Sequence, residues 1–432
     1  MPIPGEAILV GENTRRKIRG RLLPFAFVLY IIASLDRANV AYAKLTMTTA
    51  LGFSEAVFGF GAGIFFVGYL LFEIPGALIV EHYSARRWMA RILISWGLCA
   101  VFTGFVRTAG QFYAARFFLG LAEGGFFPGM VVYLTHWFCA RDRARALAGF
   151  ILAVPVSLAL GAPISALILQ HNWAGVAGWR WIFVLEGFPA VLFGFITLAY
   201  LPDHPHEANW LQPEERAQIA HELLAEREAR TAGGQVSAWQ ALRERNVMAL
   251  ALALFFANIG TYAFVFWLPT TVQRASGRSV SFSAAVSALP FVVAFVSIVL
   301  VGRSSDIRGE RRWHTAVPLA LTALFFALTS LKGATFPWLM LWLCATGAVL
   351  FSWAPSFWVL PTVILGESAA AAAFGLINAV GNFGGFVGPA VVGYLLSKNK
   401  SQAVTTGFLA GGFVVSAALI LLARIRPAIR RS

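Results

Sequence analysis

Charge is scarce in this chain. Only 12% of its 432 residues are Asp, Glu, Lys or Arg, about half the share found in an ordinary soluble domain. A water-soluble globule of this length is thereby excluded. Cysteine is scarce too: Cys99, Cys139 and Cys344 stand far apart inside apolar runs. They form no metal-ligand spacing and no disulfide framework, and read as small buried apolar residues. No cleavable signal peptide is expected, because the first residues are polar and the first apolar run is long, without a small-residue cleavage site. No Walker-type phosphate loop or metal-ligand cluster occurs, so no cofactor is implied. GNFGGF (381–386) is no dinucleotide loop, since no strand precedes it.

Apolar runs take the place of charge. Hydrophobic residues make up 58% of the chain, with 38 Phe, 14 Trp and 40 Gly. This is the composition of an all-α polytopic membrane protein. A spanning helix needs roughly 20 apolar residues, and twelve runs qualify. They fall near 22–43, 56–80, 88–106, 112–137, 144–170, 179–201, 247–273, 283–303, 313–331, 336–363, 369–397 and 403–424. The one long polar segment, 202–246, reads as an amphipathic helix (LQPEERAQIAHELLAEREAR) followed by a short flexible link (TAGGQ). Six runs precede it and six follow, so the expected units are 1–201, the linker 202–246, and 247–432.

The net charge of +14 forms no nucleic-acid patch, because the basic residues sit in short clusters between apolar runs. Clusters at 15–21, 85–91, 141–145, 202–246, 302–312 and 424–431 hold 24 of the 34 Lys and Arg residues. Eight fall on the other side, and Arg37 and Arg116 lie within spans. By the positive-inside rule both termini and the linker are expected in the cytoplasm, with the chain crossing a bacterial inner membrane many times.

The halves repeat one another. GALIVEHYSARR (76–87) follows the second span and GRSSDIRGERR (302–312) the eighth. Glu81 matches Asp306 at an offset of 225, and Arg86-Arg87 match Arg311-Arg312. AGFILAVPVSLALGAP (148–163) matches FGLINAVGNFGGFVGP (374–389), with Gly149 on Gly375 at an offset of 226. Two independent pairs at nearly one offset indicate two homologous six-helix halves, with a site near the bilayer midplane between them.

Twelve spans, a central linker and twin loops of the type G-x-x-x-D-R-x-G-R-R resemble the major facilitator superfamily over essentially the whole chain. The first loop departs from the pattern at Ala77, Glu81, His82 and Ser84. LDRANVAYA in the first span, RFFLGLAEGGFFPG (116–129) in the fourth and NAVGNFGGFVGP (378–389) in the eleventh resemble the anion:cation symporter branch. LFEIPG (71–76) and ARRWMARILISWG resemble its tartrate- and phthalate-type bacterial members. The resemblance implies two pseudo-symmetric six-helix bundles and proton-coupled transport of an organic anion. It also implies proton-binding acids in spans one and four (Asp36, Glu123) and network or substrate arginines beside them (Arg37, Arg116).

The residues themselves allow that reading. An unpaired charge at the bilayer centre costs about 3 kcal/mol or more. Asp36 and Arg37 are adjacent, so they point about 100° apart and need partners on other spans. Arg116 and Glu123 are seven apart and share one face of span four. Arg37 with Glu123 and Asp36 with Arg116 are plausible cross-pairs, and a static interhelical ion network is the alternative. Protonating both acids would leave two arginines free for an anion, and their planar forks suit a carboxylate.

Tyr69, in mid-span two, matches a substrate-contacting tyrosine by the resemblance. Asn378 and Asn382, four apart on one face of span eleven, can bond cargo or act as helix glue. Trp353 and Ser356, with Tyr262 and Trp267 of span seven, are further cavity candidates. Glu81, Arg86, Arg87, Asp306, Arg311 and Arg312 are expected to latch the cytoplasmic side. Glu73 reads as an ordering residue for the end of span two, and Glu186 receives no role.

The expectation is a monomeric, non-enzymatic proton symporter for a tartrate-like, sugar or aromatic acid. An organophosphate exchanger or an exporter of the same fold is the alternative. A membrane-embedded enzyme using His136 and nearby acids is disfavoured by the duplicated halves.

Overall fold

The computed structural model describes residues 10–232, 244–331, 333, 335–365, 367–398 and 402–423. Among these there is no strand. The chain begins with α1 (Glu12–Leu51), α2 (Glu55–His82), α3 (Ala85–Thr103), α4 (Ala109–Glu123) and α5 (Phe126–Thr135). It continues with α6 (Ala140–Ile151), α7 (Ala153–Ile168), α8 (Gly178–Tyr200) and the linker helix α9 (Pro213–Ala232). The later part comprises α10 (Arg245–Ser276), α11 (Val280–Val286), α12 (Leu289–Arg308) and α13 (Arg312–Leu328). It ends with α14 (Phe336–Leu350), α15 (Ala354–Phe357), α16 (Leu360–Leu365), α17 (Glu367–Ser397) and α18 (Gln402–Leu422).

Ten helical stretches are long and apolar enough to cross a membrane, and α13 is a shorter apolar helix. The 19-residue α3 completes the twelve; Arg86, Arg87 and Arg91 in its first two turns dilute its hydropathy. Lipid-facing positions are apolar and exposed, as at Phe102, Phe118, Leu167, Phe188 and Phe195. A bilayer can cover such surface, whereas water would penalise it.

Local sequence explains the ends. Ser54, Ser84, Thr108 and Ser279 each accept a hydrogen bond from the amide three residues on, capping α2, α3, α4 and α11. α1 stops at Gly52, whose φ of +66° gives the left-handed turn that closes a helix. Its 40 residues reach about 60 Å at 1.5 Å per residue, twice the hydrocarbon thickness. The charged first turns of α1 therefore protrude and meet α9. There Glu215 accepts from Lys17 Nζ (2.7 Å) and Thr14 Oγ1 (3.1 Å), and Glu222 accepts from the Val10 amide (2.8 Å). Arg143 Nη2 reaches Glu226 at 2.7 Å. The link TAGGQ lies largely outside the described residues.

Four expected spans prove discontinuous: 144–170 divides into α6 and α7 at Leu152, 283–303 divides into α11 and α12 at Ser287-Ala288, and two more break at glycine and proline. The run 112–137 breaks into α4 and α5 at Gly124-Gly125, where Gly125 takes φ +90°. A Cβ there would stand 2.7 Å from the Gly76 Cα, so α2 and α5 touch backbone to backbone. The run 336–363 breaks into α14, α15 and α16, with Pro355 and Pro361 each near a new helix start.

α2 and α17 cross at close range. A Cβ on Gly59 would meet the Pro389 carbonyl oxygen at 2.3 Å, and one on Gly393 would meet the Glu55 carbonyl oxygen at 2.4 Å. This end of the bundle is shut. At the other end Gly149 and Gly375, matched in the internal repeat, have open space beside them.

Candidate functional site

The charged residues of α1 and α4 converge between helices. Asp36 and Glu123 are fully buried, and so is Arg116. The Arg37 side chain keeps 18% of its surface exposed. Arg37 Nη2 donates to Glu123 Oε1, and Arg37 Nη1 donates to the Tyr262 hydroxyl of α10 at 3.5 Å. The same guanidinium lies over the rings of Tyr69 (5.3 Å) and Phe65 (5.5 Å) on α2. One side chain thus joins α1, α2, α4 and α10, and it spans both halves of the chain.

Asp36 does not pair with Arg116. Its carboxylate accepts from Trp96 Nε1 of α3 at 2.6 Å and from Asn39 Nδ2 at 3.2 Å. Nothing in the local sequence of α1 flagged Trp96; a buried indole one span away needs an acceptor for its N–H. Arg116 stacks over Phe65 at 4.9 Å. None of its three guanidinium nitrogens has a hydrogen-bond partner among the described residues, and neither has Glu123 Oε2. The two arginines therefore flank one phenyl ring, with a single carboxylate engaged by one of them. Buried charge without an acceptor is expensive.

A second polar contact crosses between the halves lower on α2. Glu73, 2% exposed, accepts from Asn378 Nδ2 and from Asn382 Nδ2 of α17, the latter at 3.4 Å. Asn258 of α10 donates to the Gly381 carbonyl at 3.0 Å, fixing α10 against this stretch of α17.

The other candidates lie apart from this centre. Trp267 sits at the shut end, where its Nε1 donates to Glu55 Oε2 at 3.0 Å. Glu55 also pairs with Lys44 (2.7 Å) and with Arg274 (2.6 Å), and Lys44 lies over the Trp267 ring at 4.3 Å. Trp353 donates to the Leu350 carbonyl at 2.6 Å, and the buried Ser356 hydroxyl has no partner among the described residues. Glu186 of α8 accepts from Ser165 of α7 at 2.8 Å.

Among the described residues, the contacts of the loop candidates stay within their own half. Arg311 pairs with Asp306 of its own loop at 2.6 Å. Glu310 caps α13; burial opposes its ionisation, but the Trp313 and His314 amides hold it below the ordinary carboxylate value. In the first loop, Asp203 caps α3 by accepting from the Arg86 amide (2.7 Å) and Ser84 Oγ (2.6 Å). The Arg87 amide bonds Ser84 Oγ at 3.1 Å, and Arg312 Nε is buried without a partner among the described residues. The Glu81 side chain lies outside the described residues.

The sequence model of the Major Facilitator Superfamily matches residues 26–389. The chain belongs to that superfamily. It is a multi-pass membrane transporter, not an enzyme. Two relatives from Agrobacterium vitis, both named "Putative tartrate transporter", are 44% and 42% identical to it. Each alignment covers 95% of this chain, and 92% and 95% of the respective relative. Among solved structures, a bacterial homolog of the human lysosomal transporter Spinster, inward-facing and unoccupied, superposes with a TM-score of 0.71 at 18% identity. The superposition covers 94% of each chain and speaks for the fold.

Proposed function

We propose that this superfamily member is a proton-coupled importer of a small carboxylate of the tartrate type in a bacterial inner membrane. The observation that carries the reading is Arg116: a fully buried guanidinium with no acceptor among the described residues, beside an Arg37 whose hydrogen bonds go to Glu123 and Tyr262. Tartrate offers two carboxylates, and a guanidinium fork bonds a carboxylate through two parallel N–H groups. The tartrate named in the two relatives supports the same substrate class.

Coupling follows from charge balance. With Glu123 ionised, Arg37 is neutralised internally. With Glu123 protonated, Arg37 is freed to join Arg116 around the anion. Asp36, held by Trp96 and Asn39, is the second proton site, next to Arg37 on α1. Tyr69 and Tyr262 border the arginines, and Asn378 and Asn382 supply donors from the opposite half.

The units 1–201 and 247–432 rock about this centre in alternating access. With the termini cytoplasmic, the Lys44–Glu55–Arg274 cluster and the α2–α17 crossing close the outer side, so the site opens inward. The paired loops around Arg86-Arg87 and Arg311-Arg312 would meet when it opens outward. The transporter acts as a monomer.

The test is uptake of radiolabelled tartrate into proteoliposomes under an inward proton gradient. Accumulation above equilibrium, collapsed by an uncoupler, is the expected result. Uptake that ignores the gradient but requires internal phosphate or another anion would instead establish an exchanger.

A further inference from the structure

Among the described residues before the linker, four carboxylates are buried, and three find their partners there. Asp36 takes Trp96 and Asn39, Glu123 takes Arg37, and Glu186 takes Ser165. Glu73 alone takes its hydrogen bonds from the other half. Its donors are two side-chain amides one helical turn apart on α17, both aimed at one carboxyl group. A pair of uncharged N–H donors converging on a carboxylate is what a carboxylate substrate would also need.

We propose that Glu73 is a built-in stand-in for the substrate: its carboxylate occupies an amide subsite of Asn378 and Asn382, and it surrenders that subsite to a substrate carboxylate on taking up a proton. The inference rests on the functional reading above and deepens it. Glu73 becomes a proton-binding and specificity site separate from the Arg37–Glu123 pair.

The physical argument is exclusion. Two ionised carboxylates cannot share one pair of amide donors, because like charges at contact repel strongly in a dry site. Moving Glu73 away while ionised would strand a charge in a place that is 2% exposed. A proton from solution resolves both costs. The resulting carboxyl group is neutral and carries one O–H, which can itself donate to the incoming anion. No other bond is made or broken.

The surroundings leave this route open. Arg37 of α1 acts on Glu73 from a distance without an ion pair. Tyr69, one turn earlier on α2, lies within electrostatic reach of both Glu73 and Glu123 of α4. Arg116 of α4 is turned to Phe65, Arg91 of α3 reaches the Ala122 carbonyl, and α17 contributes the two amides. By linkage, substrate binding then draws one proton onto Glu73.

The experiment is calorimetric titration of L-tartrate into the full-length protein in detergent, in buffers of different ionisation enthalpy and across pH. It yields the protons taken up per tartrate bound. Glu73→Gln keeps the length and hydrogen-bonding capacity of the side chain but cannot titrate. The variant should bind tartrate with about one proton fewer than wild type, and the slope of log Kd against pH should fall by about one. If Glu73→Gln does not fold, the equally long and neutral Glu73→Met should show the same loss. Proton uptake equal to wild type in a neutral variant overturns the inference while the functional reading stands. So does complete loss of binding by folded Glu73→Gln, which would mark a structural tie. A wild type that binds neither tartrate nor another carboxylate overturns the functional reading and this inference with it.

Discussion

Arg116→Met should make the empty transporter more stable while sharply weakening its substrate affinity. The guanidinium is fully buried and its three nitrogens have no acceptor among the described residues. A buried unsatisfied donor costs about 1–3 kcal/mol. The stacking of Arg116 on Phe65 returns at most ~2 kcal/mol. Among the described residues Arg116 makes no salt bridge, so removing it breaks no ion pair; Glu123 keeps Arg37. Methionine fills a similar volume with flexible apolar atoms. Exchanging buried charge for apolar bulk gains about 1–4 kcal/mol in favourable cases, and the balance here favours the exchange.

Binding moves the other way. Hydrogen bonds to a charged group contribute about 1.5–3 kcal/mol each. Loss of two from a bidentate contact, at ~3 kcal/mol in all, weakens Kd about 100-fold, since each 1.4 kcal/mol is tenfold. Thermal unfolding of wild type and variant in one detergent, with and without tartrate, reads both effects. The variant should melt higher when empty and, at tartrate concentrations near the wild-type Kd, show no tartrate-induced shift. A variant that melts lower when empty, or that keeps a wild-type tartrate shift, would refute the assignment of Arg116 as an anion socket.

Glu123→Gln should still exchange labelled for unlabelled tartrate but should lose accumulation driven by a proton gradient; normal accumulation would remove Glu123 from the coupling scheme. Arg37→Ala should lose binding and also lower the melting temperature, because it leaves the Glu123 charge buried and unpaired, at a cost of about 3 kcal/mol; calorimetry and thermal unfolding check the two parts. Docking of α9 onto the start of α1 should weaken in acid. The Lys17 ammonium, the Gln212 amide and the Thr14 hydroxyl hold Glu215 below its ordinary value of 4.5. A depressed carboxyl pKa adds stability that is present above the unfolded value and is lost as pH falls through the folded one. Proteolysis within α9 should therefore accelerate below about pH 4, and Glu215→Gln should remove that acid step.

The apolar runs by themselves determined the membrane class, the twelve crossings and the helical linker, because a bilayer demands about 20 apolar residues per crossing and tolerates few charges. They also singled out Asp36, Arg37, Arg116 and Glu123, since ionisable groups at that depth must serve a purpose. Helical periodicity placed Arg116 with Glu123, and Asn378 with Asn382, on shared faces. It could not say which face of a neighbouring helix each would meet, because that depends on the tilt and rotation of whole helices. Tertiary packing therefore decided that Asp36 goes to Trp96 rather than Arg116, and that Trp267 joins Lys44 and Glu55 at the shut end. It also gave Asn378 and Asn382 to Glu73. The break at Gly124-Gly125 was equally out of reach: a glycine pair permits a left-handed turn, but only the pressure of Gly76 from α2 requires one.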